Sequence, residues 1–399
     1  MRDLINISII LSISILVYWV IMPGGWRKYF LFALSLFFIA VASIPWAVYF
    51  LLNVVLAYLA GSLITKNGKN KKLIITSALI WFVGSICYFK YANAIVGFFS
   101  FNGMKFSVFQ QFPLSRIFLP IGMSYIIFRL IHYLVELYRN NTPRGSFIDL
   151  ALYVFFFPTF LAGPVDRFQR FYPQVQERKD FAVSECNYGL FRIVCGLVKK
   201  FIIADRLAVI IMPVLHTPYS YSRPVVMFMV YGLAIQIYLD FSGYTDIAVG
   251  LARLFGYKIM ENFNHPFFQK NIALFWRNWH ISVYSWIRDY FFFPIFGSRA
   301  SIFKLYCGIF LSMIVFHLWH AATIGFLILG IYHGIGLIIW QFFQELKKKN
   351  PLLRKVVSYK WLNPVSVFIT FNFVSFGFIF FNFSGFDPIV ILRTILTRR

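Results

Sequence analysis

Long apolar runs separated by short basic gaps are the dominant pattern along this chain. A run of about 20 apolar residues is long enough to cross a bilayer as a helix. Such runs lie at residues 4–22, 29–44, 46–64, 73–91, 118–138, 147–163, 187–214, 224–254, 303–321, 322–344 and 362–383. The pattern therefore predicts an all-α, polytopic integral membrane protein with about 10 to 11 transmembrane helices.

Two stretches do not fit simple crossings. Residues 164–186 and 261–299 mix aromatic residues with charges, so they are neither apolar enough to span nor polar enough to be disordered loops. Both are typical of interfacial or re-entrant segments. Irregular backbone at membrane depth is tolerated only where protein covers it or where it lines a water-filled cavity. We therefore expect an internal cavity among the helices.

Composition and charge agree with a membrane protein and disfavour a nucleic-acid partner. The 399 residues are 60% hydrophobic and only 13% charged, with a formal net charge of +24. The basic residues cluster in the gaps between apolar runs, at Arg27-Lys28, Lys66, Lys69, Lys71-Lys72, Lys199-Lys200, Lys347 to Lys349 and Arg398-Arg399. Short basic loops of this kind stay on the cytoplasmic side, where they can contact anionic lipid.

Three histidines interrupt an otherwise apolar stretch, FHLWHAATIGFLILGIYHG at residues 316–334. An ionisable residue inside a span costs about 2–3 kcal/mol, so a group of them favours a function. His317 and His320 can share a helical face, but no Asp or Glu occurs from 301 to 344. The stretch also lacks the HExxH spacing, so we predict no metal site.

A histidine acting alone as general base is the chemistry that remains, because the chain has no GxSxG nucleophile motif. Burial favours neutral imidazole, whose free nitrogen can take a proton from a hydroxyl. This chemistry suits direct transfer of an acyl group from a thioester to an alcohol. It requires no resident cofactor and no covalent enzyme intermediate.

Seven ordered motifs cover most of residues 118–340. They are PIGMSYIIFR at 120–129, FFPTFLAGPVDRFQRF at 156–171, VKKFIIADRLA at 198–208, QIYLDFSGYTDIAVG at 236–250, ENFNHPF at 261–267, FWRNWHISVYSWIRDYFFFPIFG at 275–297 and HLWHAATIGFLILGIYHG at 317–334. In these motifs the chain resembles the membrane-bound O-acyltransferase (MBOAT) family. It is most similar to the bacterial branch with the alginate O-acetylase membrane subunit and the teichoic-acid D-alanyl transferase.

The resemblance implies a fold and two catalytic residues. The family fold adds re-entrant and interfacial helices around a central tunnel. The family's LWHGA histidine falls on His320, in LWHAA, where Ala321 replaces the usual glycine. The FWRRWHIS histidine falls on His280. We expect His320 to be the general base and His280 to be a catalytic residue that supports it or acts on the donor side.

Other motif residues are expected to line the tunnel or to support the site, namely Asp240, Ser242, Asp246, Asn262, Trp279, Arg288, Asp289 and Trp319. An aspartate inside a span needs a partner, so Asp240 and Asp246 either orient a histidine or pair with a buried arginine. We favour a network that locks helices together. His317 and His333 are interpreted as structural.

The chain is interpreted as a single membrane domain, 1–399. It comprises N-terminal helices (1–115), a motif-bearing catalytic core (116–345) and a C-terminal helix and tail (346–399). The resemblance implies a multi-pass protein of the bacterial inner membrane. The expected acyl donor is a co-substrate, either acetyl-CoA or a phosphopantetheinyl carrier-protein thioester.

The resemblance leaves the acyl group open. VKKFIIADRLA, DFSGYTDIAVG and ENFNHPF look more like the alginate-acetylase branch, which implies O-acetylation of a cell-surface or exported polysaccharide. GPVDRFQRF looks more like the D-alanyl branch, which implies D-alanylation of a teichoic acid-like polymer. Implied partners are a cytoplasmic acyl carrier protein and a periplasmic or membrane-anchored hydrolase-like protein. A transporter of a lipid-linked glycan is a remote alternative that leaves the motifs unexplained.

Overall fold

The computed structural model describes residues 2–66, 69–101, 122–160, 163–177, 180–299, 301–381 and 385–397. Within these ranges the regular structure is helical and no β-strand occurs. The prediction of an all-α protein is therefore confirmed. Residues 118–121, 161–162 and 382–383 of three predicted spans, and the basic pair Arg398-Arg399, lie outside the described residues.

The chain divides into two compact units. The first unit consists of residues 1–195 and 245–260, and the second consists of 196–244 and 261–399. Each unit therefore combines segments that are distant in the sequence. The boundaries of the two units differ from those of the predicted parts 1–115, 116–345 and 346–399. The prediction of one membrane domain with these three parts stays a prediction.

Eight helices begin in the described part of the first unit. They are α1 (Arg2–Leu16), α2 (Arg27–Ala42), α3 (Ile44–Lys66), α4 (Lys71–Phe101), α5 (Met123–Tyr138), α6 (Phe147–Phe155), α7 (Phe168–Gln176) and α8 (Val183–Leu197). Ser146 caps α6 by accepting a hydrogen bond from the backbone N–H of Asp149, whose carboxylate accepts one in return. This reciprocal pair fixes where α6 begins.

Ten helices begin in the described part of the second unit. They are α9 (Asp205–His216), α10 (Arg223–Leu254), α11 (Ile272–Asn278), α12 (Ile281–Ile287), α13 (Phe293–Phe296), α14 (Ile302–His320), α15 (Ile324–Lys349), α16 (Pro351–Val356), α17 (Asn363–Phe378) and α18 (Pro388–Thr397). Thr323 caps α15, so the chain turns between α14 and α15 within three residues, Ala321 to Thr323.

Six described helices are long and apolar enough to cross a membrane. They span Ile44–Lys66, Lys71–Ala92, Arg223–Leu254, Ile302–His320, Ile324–Lys349 and Lys360–Phe378. This finding confirms a polytopic membrane protein. Other predicted spans contain interrupted helices: residues 187–214 hold α8, a π-helical segment at Val198–Ala204 and α9. Residues 261–299 hold only short helices, in agreement with the prediction that this stretch does not span.

Glycines let α8 and α10 approach until their backbones touch. In the first unit, a Cβ added to Gly250 would lie 2.5 Å from the carbonyl oxygen of Gly189 and 2.6 Å from Ile193 Cγ1. In the second unit, a Cβ on Gly243 would lie 2.9 Å from the carbonyl oxygen of Gly196. Small residues at such contacts allow the close packing that stabilises membrane helices.

We predict that Gly250→Ala lowers the free energy of unfolding by about 1–3 kcal/mol, because the added methyl group meets backbone atoms that cannot move aside. The matched control is Gly84→Ala in α4, where an added Cβ meets nothing within 4 Å. That control should be neutral or stabilise by about 0.5–1 kcal/mol. Thermal unfolding in detergent measures both, and equal melting temperatures would contradict the close contact.

Candidate active site

His280 lies at a sharp bend between α11 and α12. Its backbone is left-handed, with φ 46° and ψ 48°, a conformation that costs a non-glycine residue about 1–2 kcal/mol. Two backbone hydrogen bonds hold the bend: Asn264 N–H donates to the Asn278 carbonyl at 3.0 Å, and Ile281 N–H donates to the Asn262 carbonyl at 3.0 Å. The ENFN and NWHI segments therefore support each other through their backbones.

The Asn262 side chain contacts the bend at His280 and at Ser282. Its Oδ1 accepts hydrogen bonds from Ser282 N–H at 3.2 Å and from Ser282 Oγ at 2.9 Å. The same oxygen lies 3.2 Å from His280 Nδ1. All three residues are fully buried, and His280 Nε2 has no hydrogen-bond partner among the described residues. Burial lowers the pKa of His280 to about 3, so its imidazole is neutral at pH 7.

His320 faces His280 across a short gap. It is the last residue of α14, and its ring centroid is 6.0 Å from that of His280. The fold thus brings together, in the second unit, the rings of two histidines that are 40 positions apart in the sequence.

Five aromatic rings surround the two histidines, and we refer to them as the aromatic enclosure. Ring centroids of four lie 4.7–6.0 Å from that of His320, and the ring of the fifth lies 4.6 Å from that of His280. The five residues are Phe241, Phe316, Trp319, Phe326 and Phe381. Only Trp319 was predicted as a site residue.

His317 and His333 form a second, separate pair. Their rings stack at 5.4 Å with an interplanar angle of 3°, and Phe275 continues the stack on His333 at 8°. His317 Nδ1 lies 2.7 Å from the Met313 carbonyl, so it donates to its own helix. This packing supports the structural interpretation of both histidines.

Asp240 pairs with a lysine in the second unit. Lys200 Nζ lies 2.5 Å from Asp240 Oδ1 and 2.9 Å from Asp205 Oδ1, and its ammonium lies 5.4 Å from the centroid of the Tyr244 ring. Lys200 lies in the π-helical segment, so the extra residue of that turn presents it to both carboxylates. Ser242 is buried, and its Oγ has no hydrogen-bond partner among the described residues.

Asp246 pairs with an arginine in the first unit. Arg192 Nε and Nη2 lie 2.8 and 2.7 Å from its Oδ1, and Arg192 also donates to the Tyr188 hydroxyl at 2.7 Å. Both charged side chains are largely buried. The pair joins α8 to α10, which supports the interpretation that this aspartate locks helices together.

The remaining predicted residues are Trp279, next to the bend at His280, and Arg288 and Asp289, which follow α12. Trp279 is 4% exposed and stacks on Phe275 at 5.4 Å. Arg288 Nε donates to Asp289 Oδ1 at 2.8 Å within a π-helical turn, and the Arg288 side chain is 52% exposed. Trp279 therefore packs the bend, whereas Arg288 and Asp289 pair with each other.

Sequence analysis missed two groups of residues. The first is the rest of the aromatic enclosure together with Ser282, which nothing in the sequence distinguishes from other apolar or small positions. The second is Lys200 and Arg192, which do carry a signal. Both lie in the predicted span 187–214, which precedes the two aspartates of LDFSGYTD in the chain. The pair Lys199-Lys200 was expected to lie in a basic gap, but the structure places Lys200 in a π-helical turn, where it pairs with Asp240. Antiparallel neighbours of opposite charge predict such pairs.

Comparisons with known proteins match the chain to one family. The sequence profile of the membrane-bound O-acyltransferase family, MBOAT, matches residues 137–384. A probable alginate O-acetylase AlgI of Pseudomonas aeruginosa is 38% identical over 295 residues, which is 73% of this chain and 54% of that protein. The chain thus spans about half the length of the alginate O-acetylases that it matches.

Relatives that carry other names match as well. A peptidoglycan O-acetyltransferase of Helicobacter pylori is 29% identical over 378 residues, covering 87% of this chain and 69% of that protein. A teichoic acid D-alanyltransferase of Bacillus subtilis is 31% identical over 274 residues, covering 64% of this chain and 67% of that protein. Similarity therefore extends to relatives named for two different acyl groups.

We predict that Asp246→Asn lowers the free energy of unfolding by about 1–3 kcal/mol, because it leaves the largely buried Arg192 guanidinium without its anionic partner. The exchange variant Arg192→Asp/Asp246→Arg should recover part of the loss. Melting temperature in detergent is the measurement.

The matched control for this pair is Glu345→Gln. Glu345 pairs with Lys348 at 2.8 Å, but the lysine side chain is 69% exposed. Exposed pairs contribute little to stability because water and salt screen them, so the melting temperature should hardly move. Equal losses in Asp246→Asn and Glu345→Gln would contradict a locking role for Asp246.

Proposed function

Because the chain belongs to the membrane-bound O-acyltransferase family, we propose that it transfers an acyl group from an activated donor to hydroxyls of a polysaccharide. The acyl group we propose is acetyl. The observation that supports this proposal is that the ring centroids of His280 and His320 lie 6.0 Å apart among the rings of the aromatic enclosure. An imidazole nitrogen that can take a proton from a hydroxyl, beside a second imidazole, is suited to general base catalysis.

The proposed reaction needs no covalent enzyme intermediate. A nitrogen of His320 takes the proton of the acceptor hydroxyl while the hydroxyl oxygen attacks the thioester carbonyl carbon. The tetrahedral intermediate then collapses, and its carbon–sulfur bond breaks. The thiolate that leaves takes the proton back from the His320 imidazolium. Atoms balance, because one thioester and one alcohol give one ester and one thiol.

Three motifs support acetyl over D-alanyl. VKKFIIADRLA, DFSGYTDIAVG and ENFNHPF look more like the alginate-acetylase branch. The 38% identity to an alginate O-acetylase points the same way.

D-Alanyl transfer is the second candidate, and a specific observation favours it. The alignment with the B. subtilis D-alanyltransferase covers 67% of that protein, whereas the alignment with the P. aeruginosa acetylase covers 54%. The chain therefore resembles the D-alanyl relative over more of that relative's length.

We propose that the protein lies in the bacterial inner membrane, with the donor on the cytoplasmic side and the acceptor polysaccharide outside. The basic gaps, such as Arg27-Lys28, support this orientation, because positive loops stay in the cytoplasm. The same positive charge can attract an acidic acyl carrier protein as donor. A periplasmic or membrane-anchored hydrolase-like protein is the proposed partner for transfer to the polymer.

We predict that His320→Ala abolishes esterification of the surface polysaccharide, because no other group replaces the base. General base catalysis contributes about 10²–10⁴-fold, so ester release should fall below detection. Wild type and variant would be expressed in a strain lacking the gene. Mild alkaline hydrolysis followed by mass spectrometry identifies the acid released, and immunoblots check that membrane levels match.

The matched control is His216→Ala, an exposed histidine at the end of α9. It should release as much acid as wild type. Release of acetate supports O-acetylation, whereas release of D-alanine selects the second candidate. Undiminished release by His320→Ala would contradict the base assignment. Loss of the polymer itself from the cell surface would point to the transport alternative.

A further inference from the structure

Asn262 contacts only one of the two ring nitrogens of His280. Its Oδ1 lies 3.2 Å from Nδ1 and also accepts the backbone N–H and the hydroxyl of Ser282. Because a backbone N–H can only donate, the atom facing Ser282 must be the amide oxygen. This oxygen cannot donate to His280, so the hydrogen between them belongs to His280 Nδ1.

One tautomer of His280 follows from this contact. A neutral imidazole carries a single N–H, and here it lies on Nδ1. Nε2 is then a lone-pair acceptor. It is buried and has no hydrogen-bond partner among the described residues. A buried acceptor without a protein partner is open to a hydrogen-bond donor from a ligand.

The described surroundings of His280 supply no hydrogen-bond donor to its Nε2, so we expect the substrate to supply one. The rings that face it are Phe241 from α10 and Phe316, Trp319 and His320 from α14. His320 is the one titratable group among these recorded ring contacts in the described residues. Among the described residues, the hydrogen-bond contact to a ring nitrogen of His280 comes from Asn262, so Asn262 decides which nitrogen is protonated.

We propose that Asn262 is a positioning residue that holds His280 in the Nδ1-protonated tautomer, so that Nε2 accepts a hydrogen bond from an N–H or O–H group of the substrate. The proposal rests on the proposed function, since it assigns His280 a role beside the base His320. The substrate group is either a hydroxyl of the acceptor polysaccharide or an amide N–H of the thioester donor. On this proposal, the contact of ENFN (residues 261–264) with the bend at His280 presents Nε2 of His280 to the substrate.

Asn262→Asp tests the proposal through the pH dependence of transfer. The carboxylate still accepts from His280 and Ser282, but its charge stabilises the imidazolium and raises the pKa of His280 from about 3. An adjacent opposite charge typically shifts a pKa by about 1–3 units. Once protonated, Nε2 donates instead of accepting. Activity of Asn262→Asp should therefore be lost as the pH falls through this raised pKa.

The measured quantity is the acid limb of the pH–rate profile, which is the fall in transfer rate at low pH. The assay uses membrane vesicles, with acetyl-CoA as donor and purified, chemically de-esterified surface polysaccharide as acceptor. Because the base His320 must also be unprotonated, wild type already loses activity at low pH, and the added protonation of His280 should make the limb of Asn262→Asp steeper. Asn264→Asp is the matched control, because it adds the same charge two residues away on an exposed side chain. Its limb should have the slope of wild type, and an unchanged slope in a folded Asn262→Asp would overturn the proposal.

Asn262→Leu removes the acceptor without adding charge. The tautomer is then no longer fixed, so kcat should fall about 10-fold or more while the acid limb stays in place. An increase in the KM of the polysaccharide would identify a hydroxyl as the group bound to Nε2. An increase in the KM of acetyl-CoA would identify a donor amide. Wild-type kcat in folded Asn262→Leu would overturn the proposal.

Nitrogen-15 NMR of histidine-labelled protein in vesicles reads the tautomer without any turnover. The His280 signals are those lost in His280→Gln. We expect protonated Nδ1 and unprotonated Nε2 in wild type, and a mixture in Asn262→Leu. A wild type that lacks transferase activity but shows this tautomer would refute the proposed function alone. Protonated Nε2 in neutral wild-type His280 would refute the positioning role of Asn262.

Discussion

Polar groups inside a bilayer must find partners within the protein, because lipid offers no hydrogen bonds and solvates charge poorly. This constraint explains where the charged and polar residues of this chain lie. Lys200 contacts two carboxylates, and Arg192 contacts one carboxylate and a hydroxyl. Asp240 and Asp246, the two aspartates of LDFSGYTD, are thereby used as counter-ions.

The pairing of α8 with α10 follows from the same constraint. Backbone contacts at Gly189 and Gly250 bring the helices close enough for Arg192 to reach Asp246 in the first unit. In the second unit, Gly196 and Gly243 make an equivalent contact. Small residues supply the close approach, and ion pairs supply the register, since a shifted register would leave charges buried without partners. Neither device would be effective without the other.

The two histidines of the site differ in ways that suit different tasks. His280 is fully buried, strained in its backbone and bound by an amide oxygen on one nitrogen. His320 ends α14, is only partly buried and lies among four aromatic rings. One imidazole is thus held in a fixed orientation, while the other is more accessible. Backbone strain at a functional site is typical of residues whose position matters more than their stability.

Much of the fold was determined by the sequence itself, because apolar length and residue spacing are local properties. The membrane class, the non-spanning character of residues 261–299 and the candidate roles of His280 and His320 all depend on patterns within one segment at a time. Tertiary structure alone decided which groups meet. Asn262 and Ser282 converge on His280 only because a left-handed residue folds ENFN against NWHIS. Phe381 reaches His320 from 61 residues away, and the choice of Lys200 as the partner of Asp240 depends on helix register. Such contacts are set by long-range packing, in which many apolar side chains are equivalent in sequence and only their positions in space distinguish them.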